Sequence, residues 1–330
     1  MSDIAIGVHG LRKHFGEVEA LTGADFEVPE GTVFGLLGPN GAGKTTVIRV
    51  LSTILRPDEG SAEVLGYDVM REPEAVRRRI GLAGQYAAVD ANLTGRENLE
   101  MVGVLAQMPR PAIKPRAGEL LDRFQLSDAA DRTLKTYSGG MRRRLDIAAS
   151  LMNKPPVLFL DEPTTGLDIT SRNELWEMIR ELVSDGTSVL LTTQYLEEAD
   201  ILARRVAVVD GGRVIANDTP AALKAQLGST VFEMDLPPGA GERAVGLLTT
   251  VVDGKVEREG EHLRITTNRG PSALVEILRT LDAAGIEPQS LTVREPSLDD
   301  VFLALTGRHA EAADGEAADG EAVTARGDAA

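Results

Sequence analysis

Short apolar runs alternate with amphipathic stretches along the first two thirds of the chain. Val33–Leu37, Val157–Asp161, Ser188–Thr192 and Val206–Asp210 are leucine-rich or β-branched, and Gly, Pro or Asp bounds them. Runs of this length with little polar alternation predict strands buried on both faces. Lys44–Leu55 and Thr170–Ser184 follow two of these strands with helical spacing. Strands that alternate with helices predict a mostly parallel sheet covered on both sides, an α/β fold.

Two segments depart from that rhythm. Thr94 to Met152 is mainly helical in pattern and reads as a subdomain inserted into the α/β core. Near Gly228 the pattern changes again. From Thr230 to Gly307, short strands and two helices, among them Ser272–Ala283 and Leu298–Leu305, predict a small α+β domain. Beyond about His309 the run Glu-Ala-Ala-Asp-Gly occurs twice in succession, with almost no large apolar side chain. Such a segment cannot offset the entropy of ordering, so a disordered acidic tail is expected. The domains therefore read as 1–227 with the insert at about 94–152, then 228–307, then a tail over 308–330.

Composition removes some functions. The chain has no cysteine, which excludes a disulfide framework and a thiolate metal site and suits a reducing cytoplasm. The net charge of -16 argues against a protein that grips nucleic acid through its phosphates, so no nucleic-acid partner is expected. The clusters Arg77–Arg79 and Arg142–Arg144 read as solvated helix faces or structural ion pairs. Met1 to Val8 shows no secretory leader, and no window approaches the roughly 20 apolar residues that span a bilayer. Any link to a membrane has to run through a partner.

Gly38-Pro39-Asn40-Gly41-Ala42-Gly43-Lys44-Thr45 fits the pattern G-x-x-x-x-G-K-[ST] between a strand and a helix. Glycines let backbone N–H groups turn toward a phosphate, and the helix N-terminus adds partial positive charge there. Lys44 is expected to reach the β- and γ-phosphates, Thr45 to bind Mg2+, and Thr46 to touch the α-phosphate. The strand Val157–Asp161 delivers Asp161 and then Glu162 to the ligand edge of the sheet. Asp161 is expected to hold Mg2+, and Glu162 to polarise the attacking water. Alone, an Asp-Glu pair after a strand could equally cap a helix. With the phosphate loop it defines a P-loop NTPase, though not which kind. The base-reading Asn-Lys-x-Asp of a guanine-nucleotide switch is lacking, because Asn153-Lys154-Pro155-Pro156 has no Asp.

The helical insert narrows the choice. Tyr137-Ser138-Gly139-Gly140-Met141 begins a helix about twenty residues before the carboxylate strand, and a serine followed by two glycines is a good anion-binding helix start. Here the sequence resembles the ABC ATPase family, whose signature reads Leu-Ser-Gly-Gly-Gln. It departs at Tyr137 and Met141 but keeps Ser138, Gly139 and Gly140. The resemblance implies a homodimer that sandwiches two ATP head to tail, each signature loop facing the γ-phosphate held by the other copy. It also implies that Gln85 senses Mg2+ and the attacking water, that Tyr86 to Arg96 faces a membrane partner, that Gly166-Leu167-Asp168 crosses the dimer interface, and that Phe15 stacks on adenine. Where the family usually has histidine, this chain has Gln194. An amide can donate to the γ-phosphate but cannot carry charge or shuttle a proton. Either turnover is reduced or Glu162 activates water unaided; the intact remainder of the site favours the second.

Lys135–Ser150, the Gln194 segment and Leu298-Asp-Asp-Val-Phe-Leu-Ala-Leu-Thr-Gly307 further resemble the daunorubicin/doxorubicin-resistance subfamily, over about residues 4–307. That resemblance implies an ATPase subunit at the cytoplasmic face of the membrane, driving a separate permease that exports a drug, anthracycline-like by analogy. A soluble ABC ATPase acting on ribosomes or DNA, and a motor for a lipid or polysaccharide, are the alternatives. A single phosphate loop, no heptad run and no cysteine weigh against the soluble type. The C-terminal module reads as regulatory, as dimer-holding or as structural.

Overall fold

The structure, a computed structural model, describes residues 4–84, 89–227 and 230–305. The chain divides into two compact units at Asp218/Thr219. The sequence places this change near residue 228. The structure puts it earlier, because the helix Pro220–Leu227 falls in the second unit.

The first unit holds two sheets. The larger has six strands in the order Arg213–Asp218, Arg205–Asp210, Val33–Leu37, Ser188–Thr193, Val157–Asp161 and Ile80–Ala83. All its pairs are parallel except the first, which is antiparallel. The three central strands are buried at every position. The reason is that successive side chains enter different cores. Leu158 and Leu160 pack with the helical insert, while Val157 and Phe159 pack with the second sheet and the helix after the phosphate loop. Burial on both faces erases polar alternation from the sequence.

The second sheet is the antiparallel portion, ordered Val18–Pro29, Ile4–Phe15, Glu59–Val64, Tyr67–Asp68. The helix after the phosphate loop spans Lys44–Leu51, shorter than the expected Lys44–Leu55; Thr53 takes a φ of 62°, which a helix cannot continue. The insert contributes Gly95–Leu105, Arg110–Arg123 and Gly139–Ser150. Thr94 and Glu97 form a reciprocal capping box at the start of the first of these helices. Leu99, Leu120, Phe124 and Leu145 then bury these helices against one face of the large sheet.

The second unit follows a strand–helix–strand–strand–helix–strand order: Thr230–Asp235, Gly241–Val251, Gly254–Glu259, His262–Thr267, Ala273–Ala283 and Ser290–Arg294. The strands align antiparallel with the third in sequence between the second and the first, and the fourth on the far side of the first. This is the ferredoxin-like arrangement. Phe232, Leu248, Ile265, Ile277 and Leu281 form its core. Residues 298–305 are helical, and 298–300 is tied to the sheet by charge: Asp300, 7% exposed, accepts from Arg294 at 2.6 Å. Among the described residues no helix is long and apolar enough to cross a membrane.

Candidate functional site

The C-terminal ends of the strands Val33–Leu37, Val157–Asp161 and Ser188–Thr193 open into a cleft of about 750 Å³. Lys44, Thr45, Thr46, Glu162 and Gln194 line it, with Asn40, Gly41 and Gly43 of the phosphate loop and, unexpectedly, Arg143. Gly43 caps the first helix with a φ of 106°, and a Cβ there would stand 2.5 Å from the Ala20 carbonyl oxygen. Only glycine fits that position.

Lys44 is 4% exposed, and its ammonium donates to the carbonyls of Gly38 at 2.7 Å and Pro39 at 3.0 Å. Glu162 Oε1 lies 3.9 Å from the same nitrogen. Burial lowers the Lys44 pKa from its ordinary value, against the opposing pull of Glu162 and Asp161. Thr45 Oγ1 stands 3.0 Å from Asp161 Oδ2, and the Thr192 hydroxyl donates to Asp161 Oδ1 at 2.5 Å. A hydroxyl beside a buried carboxylate suits Mg2+, which keeps few protein ligands and takes the rest from phosphate and water. Among the described residues no cluster of three or more His, Cys, Asp or Glu could hold a metal without such help. Thr45 and Asp161 fit a phosphate-borne Mg2+.

Glu162 takes a φ of 49°, in the left-handed region that costs a non-glycine residue about 1–2 kcal/mol. Its amide donates to Thr192 at 3.1 Å, and the Thr165 hydroxyl donates to its carboxylate at 3.3 Å. This backbone turn swings the carboxylate off the strand axis into the cleft. Arg143 supports the turn. Its Nη2 donates to the Asp161 carbonyl at 3.1 Å and its Nε to the Pro163 carbonyl at 2.9 Å. Its Nη1 serves the Gly84 carbonyl at 2.6 Å and Asp146 at 3.1 Å. Burial lowers the pKa of this guanidinium, with Asp146, Asp161 and Glu198 acting the other way. Sequence reading missed Arg143. Its neighbour Asp146, one helical turn on, is the only local signal that this arginine needs a buried counter-charge.

The remaining expected residues lie elsewhere. Ser138 caps the helix Gly139–Ser150, accepting from the Met141 amide at 3.2 Å; Ser138 and Gly139 are exposed and do not line the cleft. Tyr137, at the family's leucine position, is buried and donates to the Ala129 carbonyl at 2.7 Å, which anchors the turn. Gly140 packs closely on the next helix: a Cβ there would stand 2.6 Å from Ser171 Oγ and would force that side chain to turn. Asp168 caps the helix Ile169–Ser184 and accepts from the Ser171 amide at 2.8 Å. That bond holds its carboxyl below the usual range. The signature turn and the Asp168 cap thus meet at Ser171. Phe15 is 46% exposed at a strand end, with the Lys13 ammonium 5.8 Å from its ring centre, and is not part of the cleft lining. Pro39 and Ala42 belong to the loop backbone, where Ala42 N donates to the Pro39 carbonyl at 3.2 Å. Gln85 lies outside the described residues.

Residues 21–165 match the family model for ABC transporters, and residues 219–306 match that for the C-terminal domain of ATP-binding proteins of the DrrA1-3 type. The daunorubicin resistance ATP-binding protein DrrA2 of Streptomyces coeruleorubidus is 53% identical, the match covering 94% of this chain and 98% of that one. The daunorubicin/doxorubicin resistance ATP-binding protein DrrA of Streptomyces peucetius is 51% identical over 93% and 94%. Among solved structures, a dimeric post-hydrolysis state of an ATP-binding cassette bound to ADP and Pi superposes with a TM-score of 0.59 at 25% identity, over 65% of this chain and 98% of that one.

Proposed function

The chain belongs to the ATP-binding proteins of ABC transporters, an ATP-hydrolysing family, and on that premise we infer that it is the motor of a drug exporter. Two copies close head to tail over two ATP. The phosphate loop and Lys44 hold the β- and γ-phosphates of one nucleotide, with Thr46 near the α-phosphate and Phe15 stacked on the base. Thr45 and Asp161, with Gln85, would hold Mg2+, which when bound neutralises phosphate charge. Glu162 takes the proton of the attacking water as its oxygen bonds to the γ-phosphorus, and the bond to the ADP oxygen breaks. Gln194 donates its amide to the γ-phosphate oxygens. Ser138, Gly139 and Gly140 of the second copy cover those oxygens from the other side, and Asp168 lies along the seam.

One observation carries this reading. The serine-glycine turn of the insert, a good anion-binding helix start, exposes Ser138 and Gly139 and contributes neither to the lining of its own cleft, which supports a role on a nucleotide held by another molecule. The export cargo is proposed from the relatives, whose names specify daunorubicin and doxorubicin resistance. Membrane attachment is proposed through a separate permease on the cytoplasmic face.

The test is Glu162→Gln, which keeps the shape of the cleft but removes the proton acceptor. It should accumulate ATP-bound dimers in Mg2+, read by gel filtration. A variant that stays monomeric at saturating ATP rules out the sandwich. Co-expression with a permease should then move the parent chain to the membrane pellet and lower cellular anthracycline.

A further inference from the structure

Glu162 sits in a backbone conformation that a carboxylate side chain does not choose for itself, so the surrounding structure must hold it there. The carbonyls on either side of that residue, those of Asp161 and Pro163, both accept from one guanidinium. The same guanidinium takes the Gly84 carbonyl, the last described position before Gln85. Its own backbone lies in the helix that Ser138 caps, the element whose exposed turn reads the second copy's nucleotide in the reading given above. One side chain, carried on the helix of the signature turn, therefore touches both sides of the proton acceptor and the carbonyl of Gly84.

From these contacts we propose that Arg143 is the positioning residue that links the signature helix to Glu162, setting the carboxylate's aim according to whether that helix is docked on a second nucleotide. This deepens the dimer reading and rests on it. The chemistry requires arginine. All three nitrogens of the planar fork are engaged, toward carbonyls from two loops and toward Asp146. A lysine keeps the charge for Asp146 but offers one nitrogen, which cannot span acceptors on both sides of Glu162. The other arginines of the run do different work: Arg142 bonds the carbonyls of Leu134 and Lys135, and Arg144 pairs with Glu174 on the neighbouring helix. Neither reaches the residues around Glu162.

The experiment uses the full chain with Arg143→Lys and Arg143→Gln. Binding of a fluorescent ATP analogue reports an intact cleft, and steady-state ATPase gives kcat and KM. Both variants should bind the analogue within about threefold of the parent, while kcat falls at least about fivefold and KM moves less than about threefold. Lysine should not rescue. In a Glu162→Gln background, Arg143→Lys should raise the ATP concentration for half-maximal dimerisation, because the signature helix is no longer tied to the loops behind it. A kcat loss below about fivefold in either variant overturns the proposal. So does loss of analogue binding by both variants, which would make Arg143 a packing cation, or an unchanged dimerisation midpoint. Failure of the dimer reading itself shows separately, as Glu162→Gln alone remaining monomeric, and it takes the link to the second copy with it.

Discussion

Thr45 Oγ1 lies 3.0 Å from Asp161 Oδ2, across 116 residues of sequence. The contact joins the first residue after the phosphate-loop lysine to the end of the carboxylate strand, and it leaves the Asp161 carboxylate shared between two threonine hydroxyls. An aspartate held this way has its geometry fixed by neutral partners, so its charge is free to act on a phosphate-borne cation. Asp161→Asn removes the charge and keeps one acceptor oxygen, its NH2 becoming a donor to which one threonine hydroxyl can turn and accept. Its melting temperature should stay within a few degrees of the parent, while kcat falls at least about 100-fold and half-saturation by Mg2+ rises at least about tenfold. A magnesium titration of ATPase activity reads both.

Lys44 gives a prediction of opposite sign for stability and function. Its pKa is lowered in the folded protein, burial being the main cause. Between that lowered value and the ordinary 10.5, the unfolded chain binds more protons than the folded one. Stability therefore rises with pH across that window, and below it the cost of the buried charge is present in full. Lys44→Met should abolish ATP turnover yet melt higher than the parent at neutral pH without nucleotide, and the gap should narrow as pH climbs toward 10. A gap that widens with pH would contradict the desolvation argument. Thermal melts of both proteins over a pH series decide it.

The phosphate loop and the Asp161-Glu162 pair were legible because their chemistry is written in contiguous residues. The central strands were legible because burial on both faces leaves unbroken apolar runs such as Val157–Leu160. Arg143 was not. Apart from Asp146, its partners are backbone carbonyls 18, 20 and 59 residues away, which carry no side-chain identity, and three consecutive arginines look alike whether solvated or enclosed. The helix Gly241–Val251 also escaped notice, since two glycines and a Thr-Thr-Val end give it poor intrinsic propensity. Its burial through Ala244 and Leu248 is what makes it a helix. Ferredoxin-like strand order could not be read either, because pairing partners lie far apart along the chain, as with Val231 and Arg294.

Gln194 lines the cleft in place of the family's histidine. If its amide suffices for the γ-phosphate oxygens, Gln194→Ala should lower kcat about tenfold, while Gln194→His should change it by no more than about threefold at pH 8. The histidine variant should gain a pH dependence near its ordinary pKa of about 6.5, which the parent lacks. A gain of tenfold or more from Gln194→His would mean that the parent is handicapped, the other reading of this position. Steady-state ATPase from pH 6 to 9 separates the two.

The last prediction concerns the second unit. Glu233, Arg264, Arg294 and Asp300 form a continuous charged cluster, with Arg294 bridging Glu233 at 2.7 Å and Asp300 at 2.6 Å. Asp300 belongs to the helical residues 298–305, and Ser297 donates to it from both its amide and its hydroxyl. Burial alone would raise the Asp300 pKa, but the Arg294 and Ser297 hydrogen bonds outweigh it and hold the carboxyl below its ordinary 3.8. The stabilisation is therefore complete above that ordinary value and is lost as pH falls through the lowered one. Asp300→Asn should loosen residues 298–305 from the sheet at neutral pH, at a local cost of about 1–3 kcal/mol for the Arg294 donors that lose their carboxylate while Glu233 keeps its own bond. Hydrogen exchange of the amides in that helix should speed up accordingly, while the strand Thr230–Asp235 stays protected. In acid the parent should lose the same protection and converge on the variant. Persistent protection of the helix in Asp300→Asn would show that Leu298 and Val301, both 3% exposed, hold it without the charge.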